Sequence, residues 1–183
     1  AGCDRLAGLA DRLGETRAAR RWRDHADRMH ATICREAWSE AHGSFVAGFG
    51  ASVLDASVLM MFELGFLPPD DPRMVGTLAA VEKHLLRDGF VYRYVHEDDF
   101  GAPENAFLLC TFWYLNALAL SGRRDEAREL YGHLLSYRNP LGLLAEHIDP
   151  RTGILWGNFP QTYSMVGIIN GAQRLSIPWE DVF

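Results

Sequence analysis

At 183 residues with 48% apolar content, the chain is long enough for one domain with a substantial core. The net charge of −6 is spread over both halves, and the cationic run from Arg17 to Arg23 is diluted by Glu15, Asp24 and Asp27, which argues against a nucleic-acid surface and for a neutral or polar small ligand. Cys3, Cys34 and Cys110 are far apart without ligand spacing, so buried free thiols of a reducing, cytoplasmic compartment are expected, with no secretory signal and no membrane span.

Ala1 to Leu13 carries apolar residues at helical spacing, with Gly14 as the stop. The period is already running at Ala1, without an initiator Met, so a preceding segment is expected. Glu15 to Ala37 predicts a charged, half-solvated outer helix with Ala18, Trp22, Ala26, Met29 and Ile33 along one face. After a loop bearing Phe45 and Phe49, Ser52 to Leu64 is apolar nearly all round and predicts a helix buried on both sides. Gly65 to Pro72 is a compact stop and restart, with Asp71 as N-cap and Pro72 at the first helical position of an amphipathic helix to Leu86.

The same events recur. Asp88 to Pro103 reads as a long loop with strand-like pieces around Phe90 to Tyr94, and Glu104 to Leu120 as a helix whose one formal charge is Glu104. Ser121-Gly122 turns into the charged helix Arg124 to Tyr137. A third long loop, beginning near Asn139, carries Glu146 and delivers Asn158, Gln161, Tyr163 and Ser164 to a third apolar helix from Pro160 to Leu175. Charged helix, long loop, apolar helix and short turn thus alternate with a period of roughly 50 residues, a helical-hairpin repeat. Apolar helices form an inner layer, charged helices an outer layer, and the long loops emerge at one end. The expected fold is all-α, about half of an (α/α)6 toroid, with residues 1–183 as one partial domain. Half a ring leaves inner-helix flanks uncovered, so exposed apolar surface, self-association or a missing partner segment is expected.

The polar residues of the long loops and the adjoining helix starts are Asp55, Ser57, Arg93, Tyr94, His96, Glu97, Asp98, Asp99, Glu104, Asn105, Glu146, His147, Asn158, Gln161, Tyr163 and Ser164. Phe45, Phe49, Tyr92, Phe100, Trp156 and Phe159 are interleaved with them. Carboxylates, amides, an Arg and flat rings in one bowl suit a sugar, whose hydroxyls take directed hydrogen bonds and whose C–H faces stack on rings. Glycosidic hydrolysis needs two carboxyl groups, standing about 6.5–9.5 Å apart when one of them activates water. Structural readings compete for several of these residues. Glu104 would be stabilised in a first helical turn, Asp55 by an Arg or backbone partner across the core, and Tyr92 and Tyr94 fit strand packing. Glu97-Asp98-Asp99 fits a solvated turn, and the histidines lack paired metal spacing, so no metal is expected. Glu146 has the strongest functional case, because its neighbours Leu143, Leu144, Ala145 and Ile148 offer an apolar surround that would tune a base.

At these residues the chain resembles glycoside hydrolase family fifteen, the glucoamylases, glucodextranases and bacterial trehalases. The resemblance is carried by Gly48 to Leu59, Gly65 to Arg73, Tyr92-Arg93-Tyr94, Glu104 to Trp113, Gly142 to Gly153 and Gly157-Asn158-Phe159-Pro160-Gln161, in the family's order over nearly the whole chain. It implies an inverting α-glycosidase on an (α/α)6 barrel, without cofactor or metal, acting on α-linked glucose disaccharides or oligosaccharides such as trehalose. By the resemblance, Glu146 is the general base, and Arg93 and Tyr94 hold the sugar. Glu97 or Asp98 binds a hydroxyl, Glu104 contacts substrate, and Asp55 and Tyr163 line the cleft. The family's general acid lies in a Trp-Glu motif upstream of the segment matched here; Trp179-Glu180 has the letters but sits past the last inner helix and is rejected. His147 and Ser164-Met165 stand where bacterial members usually carry Glu and His, and Asn105 where Gly is usual, inside the helix predicted from Glu104. The expectation is the C-terminal half of a family-fifteen glycosidase, carrying the base and lacking the acid, inactive alone. The alternative is a non-catalytic helical module binding carbohydrate or protein.

Overall fold

The first two predicted helices form within a residue or two of their expected ends in the computed structural model, which describes residues 1–99 and 101–176. Helix α1 spans Gly2–Arg12 and α2 spans Thr16–Glu36, joined through Gly14 at φ 75°, a left-handed turn open to glycine. They pack on one another, Asp4 pairs with Arg23 at 2.7 Å, and α2 buries no residue fully, as suits an outer helix.

The segment predicted as a helix from Ser52 to Leu64 differs. Ala47 N–H donates to the Val53 carbonyl and Ala56 N–H to that of Arg93, which keeps the chain extended through Asp55. The Asp55 carboxylate then accepts from Ser57 N–H at 2.8 Å and starts a 3₁₀ turn, Ala56–Leu59, that runs into the short helix α3, Met60–Glu63. Nor is this helix covered on both sides. Leu54, Ala56, Val58, Leu59 and Phe62 are buried, but Met60 and Leu64 face solvent. Helix α4, Pro72–His84, follows with Asp71 as N-cap and Pro72 in its first turn, as predicted.

Each long loop contains a small antiparallel pairing. Strand β1 (Trp38–Ser39) pairs with β2 (Ser44–Phe45), and β3 (Leu86–Arg87) with β4 (Phe90–Val91). The second hairpin turns on Asp88-Gly89, both at positive φ, the combination a two-residue turn with the right twist demands. Strands β5 (Ala106–Phe107), β6 (His147–Ile148) and β7 (Leu155–Trp156) form a three-stranded sheet in that order. This sheet corrects the helix predicted from Glu104. Ala106 and Phe107 pair with Ile148 and His147, so α5 spans only Leu108–Leu120, and Glu104 and Asn105 precede it outside any helical turn. Helix α6 is Arg124–Ser136 and α7 is Thr162–Leu175, capped by the Gln161 side chain.

The core centres on α5, ten of whose thirteen residues are buried, packed against α3, α6, α7 and β4. Helix α7 approaches it closely because Gly167 lies on the Phe112 ring, where a Cβ would meet ring carbons at 2.4 Å. Three fully buried hydroxyls tie the loops to the helices. Thr77 Oγ1 accepts from Phe45 N–H, Thr111 Oγ1 accepts from Val91 N–H, and Ser164 Oγ donates to the Ala145 carbonyl at 2.7 Å. Helix α1 exposes Leu6 and Leu9, Leu13 just after it is also exposed, and α7 exposes Val166 and Ile169, the uncovered flanks expected of part of a ring.

The thiols need one correction. Cys3 and Cys34 are half-buried, and Cys110 alone is buried, where desolvation pushes its thiol up to about 12 and makes it inert.

Candidate active site

Glu146 sits at the head of β6, where its backbone is held from two sides. Leu108 N–H, at the start of α5, donates to the Glu146 carbonyl at 3.1 Å, and Glu146 N–H donates to the Asn158 carbonyl at 3.0 Å. Its carboxylate is polar in its contacts, contrary to the apolar surround expected. Oε2 accepts from Asn158 N–H at 3.2 Å and from Asn158 Nδ2 at 3.0 Å, with His147 Nδ1 at 3.7 Å. The side chain remains 23% exposed, while its chain neighbours Leu144, Ala145 and Ile148 are buried. Burial pushes the His147 imidazole below its ordinary value, against the opposing pull of Glu146, and the ring stacks on Phe107 at 5.1 Å.

The second loop forms a separate polar cluster. Arg93 Nε donates to Asp55 Oδ2 at 3.1 Å while the Arg93 side chain stays 55% exposed, and Asp55 Oδ1 serves as the helix cap. Tyr94 O–H donates to Asp98 Oδ2 at 2.5 Å, which raises the phenol above its usual range, and its ring lies against His96. Both readings of Asp55 therefore meet in one residue: it is the Arg partner and the loop anchor at once. Tyr92 is buried and donates to the Glu104 carbonyl at 3.0 Å, so strand packing accounts for it. The Glu97 and Glu104 side chains are exposed. Tyr163, in the first turn of α7, is 59% exposed, and Trp156 and Phe159 stand similarly open.

The structure thus joins Asp55 with Arg93, and Tyr94 with Asp98, and brings Glu146 together with His147 and Asn158. The Ala56 to Arg93 hydrogen bond links the first loop to the second, and β5 on β6 links the second to the third. Sequence reasoning missed Gly157 as a neighbour of the carboxylate. Its φ is 82°, and a Cβ there would lie 2.8 Å from Glu146 Oε2; the Trp-Gly-Asn run after a strand was the available signal. Trp179-Glu180 and Phe100 lie outside the described residues. Among the described residues no group of three or more His, Cys, Asp or Glu could hold a metal ion. A cleft of about 540 Å³ lies among the short turns, but its Arg123 is already paired with Glu82 and Glu126.

Helical hairpins in series, with carboxylates and exposed rings on their long loops, are the architecture of part of an α/α toroid. The chain belongs to the glycosyl hydrolases family 15, whose family model matches residues 1–173. It is 44% identical over 170 residues to a trehalase of Mycobacterium tuberculosis, covering 91% of this chain and 25% of that protein. It is 35% identical over 173 residues to a trehalase of Thermoplasma volcanium, covering 94% and 28%. The chain therefore spans about a quarter of the length of these curated relatives. The fold matches a bacterial glucoamylase solved with acarbose at a TM-score of 0.78 and 16% identity, over 94% of this chain and 32% of the other. A glycosidase solved in complex with glucose matches at 0.73 and 22% identity, over 94% and 50%. Among the described residues no helix is long and apolar enough to cross a membrane.

Proposed function

We propose that this chain supplies the general base and part of the sugar cleft of an inverting α-glucosidase, with trehalose as the first substrate to test and other α-linked glucose oligosaccharides as the wider class. Residues 1–183 are then part of one catalytic domain completed by other segments of the parent protein. The observation that carries the reading is Glu146, a partly exposed carboxylate held by backbone and side chain at the junction of two loops, in a segment whose Trp156, Phe159 and Tyr163 rings are exposed. Glu146 removes a proton from water as the water oxygen attacks the anomeric carbon. The bond to the leaving oxygen breaks, and a carboxylic acid from another segment protonates that oxygen. Arg93, fixed by Asp55 through Nε, offers its terminal N–H groups to sugar hydroxyls, and Tyr94 holds Asp98 oriented to accept from one. Glu97, Glu104 and Tyr163 are further sugar contacts from the exposed rim. Its three free cysteines support a reducing, cytoplasmic setting.

Glu146→Gln in the full-length protein is expected to lower trehalose turnover by about 10²–10⁴-fold, the range of a general base, with little change in sugar binding. A variant turning over at the wild-type rate would overturn the assignment. The isolated 183-residue chain is expected to be inactive; Glu146-dependent hydrolysis by it alone would show that the acid lies within it.

A further inference from the structure

We infer that Asn158, presented by Gly157, is a positioning residue that clamps the Glu146 carboxylate so that one of its two oxygens is held and the other is left to take the proton from water. This rests on the reading of Glu146 as the base.

Asn158 engages Glu146 three times. Its carbonyl accepts from Glu146 N–H at 3.0 Å, and its own N–H and Nδ2 converge on Oε2 at 3.2 and 3.0 Å. Nδ1 of His147, a titratable neighbour of the carboxylate, lies 3.7 Å from the same oxygen, too far for a hydrogen bond. Oε1 has no hydrogen-bond partner among the described residues. The clamp therefore sets the plane of the carboxylate and leaves one oxygen position able to accept.

Gly157 makes this approach possible. With φ at 82° it turns the chain so that two successive polar groups of Asn158 point back at Oε2. Any Cβ at this position would meet Oε2 at 2.8 Å and both the Glu146 Cβ and His147 Nδ1 at 3.0 Å. The backbone lies against the carboxylate with no room for a side chain.

A base held in this way loses little time in unproductive orientations, and displacement of a reacting group by about 1 Å costs about 10²-fold in rate. The test compares trehalose hydrolysis by the full-length protein and its Glu146→Gln, Asn158→Ala, Asn158→Asp and Gly157→Ala variants. Asn158→Ala is expected to lower kcat by about 10–100-fold with KM within about threefold, and Gly157→Ala to do the same or more. Asn158→Asp keeps the shape but sets a second carboxylate against Oε2. The acid limb of its kcat/KM profile is expected to move up by about one pH unit or more, a change that a merely structural role would not produce. The isosteric Asp variant decides the matter even where the Ala variant is unfolded. An unmoved acid limb in Asn158→Asp, with Glu146→Gln inactive, overturns the clamp and spares the base. Wild-type turnover in Glu146→Gln overturns the base itself.

Discussion

Replacing Ser164 by Ala removes one oxygen from the interior and tests whether helix α7 anchors the loop that carries Glu146. Ser164 is fully buried, its hydroxyl donates to the Ala145 carbonyl at 2.7 Å, and that carbonyl, 2% exposed by residue, has no other donor among the described residues. Leaving a buried acceptor unpaired costs about 1–3 kcal/mol, whereas the better helix propensity of Ala returns about half a kcal/mol. The unpaired carbonyl prevails, so a net loss of about 1–2 kcal/mol is expected, or about 2–8 °C in Tm for a chain of this size. Thermal unfolding followed by circular dichroism measures the first quantity. Amide hydrogen exchange at Glu146, Leu108 and Gln161, whose N–H groups bond within or onto the same loop, measures the second effect, since opening of the loop lowers their protection. A Tm within about 1 °C of wild type together with unchanged protection at these amides would refute the reasoning.

Gly167→Ala places a methyl group within 2.4 Å of the buried Phe112 ring. Overpacking of this kind costs about 1–3 kcal/mol against about 1 kcal/mol regained in helix propensity, so a lower urea midpoint is expected, and an unchanged or higher one would show that α7 shifts freely. The Asp71 cap titrates in acid. Hydrogen bonds from the Arg73 side chain and backbone hold its carboxyl at about 2. Its folded-state value is depressed, so its contribution is fully present above the ordinary carboxylate value near 4 and is lost as pH falls through about 2. Asp71→Asn keeps a capping oxygen but cannot titrate; its Tm against pH is expected to be flatter than wild type between about pH 4 and 2. Parallel curves would refute the linkage.

Much of the architecture was legible because helices announce themselves locally. The charged face of α2, the Asp71-Pro72 start of α4 and the nearly charge-free α5 follow from patterns a few residues long. The errors occur where distant chain takes over. Ala106 and Phe107 leave the predicted helix because Ile148 and His147, some 40 residues away, offer strand partners. Asp55 leaves its helix because Arg93 and the backbone of the second loop hold it extended and the carboxylate prefers to cap.

The site divides the same way. Sequence pattern and resemblance together singled out Glu146, Arg93, Tyr94 and Asp98, and the Tyr94–Asp98 contact, four residues apart, is nearly local. The Asp55–Arg93 pair spans 38 positions and the Asn158 hold on Glu146 spans 12. The amino-acid sequence by itself determined the alternation of charged and apolar helices and the residue types available on their loops, since periodicity and capping act within one or two turns. The tertiary structure alone decided that Asn158 and Gly157 close on Glu146. A hydrogen bond between loops depends on where folding brings their backbones together, and only the pairing of β6 with β7 and the docking of α7 on α5 bring these there.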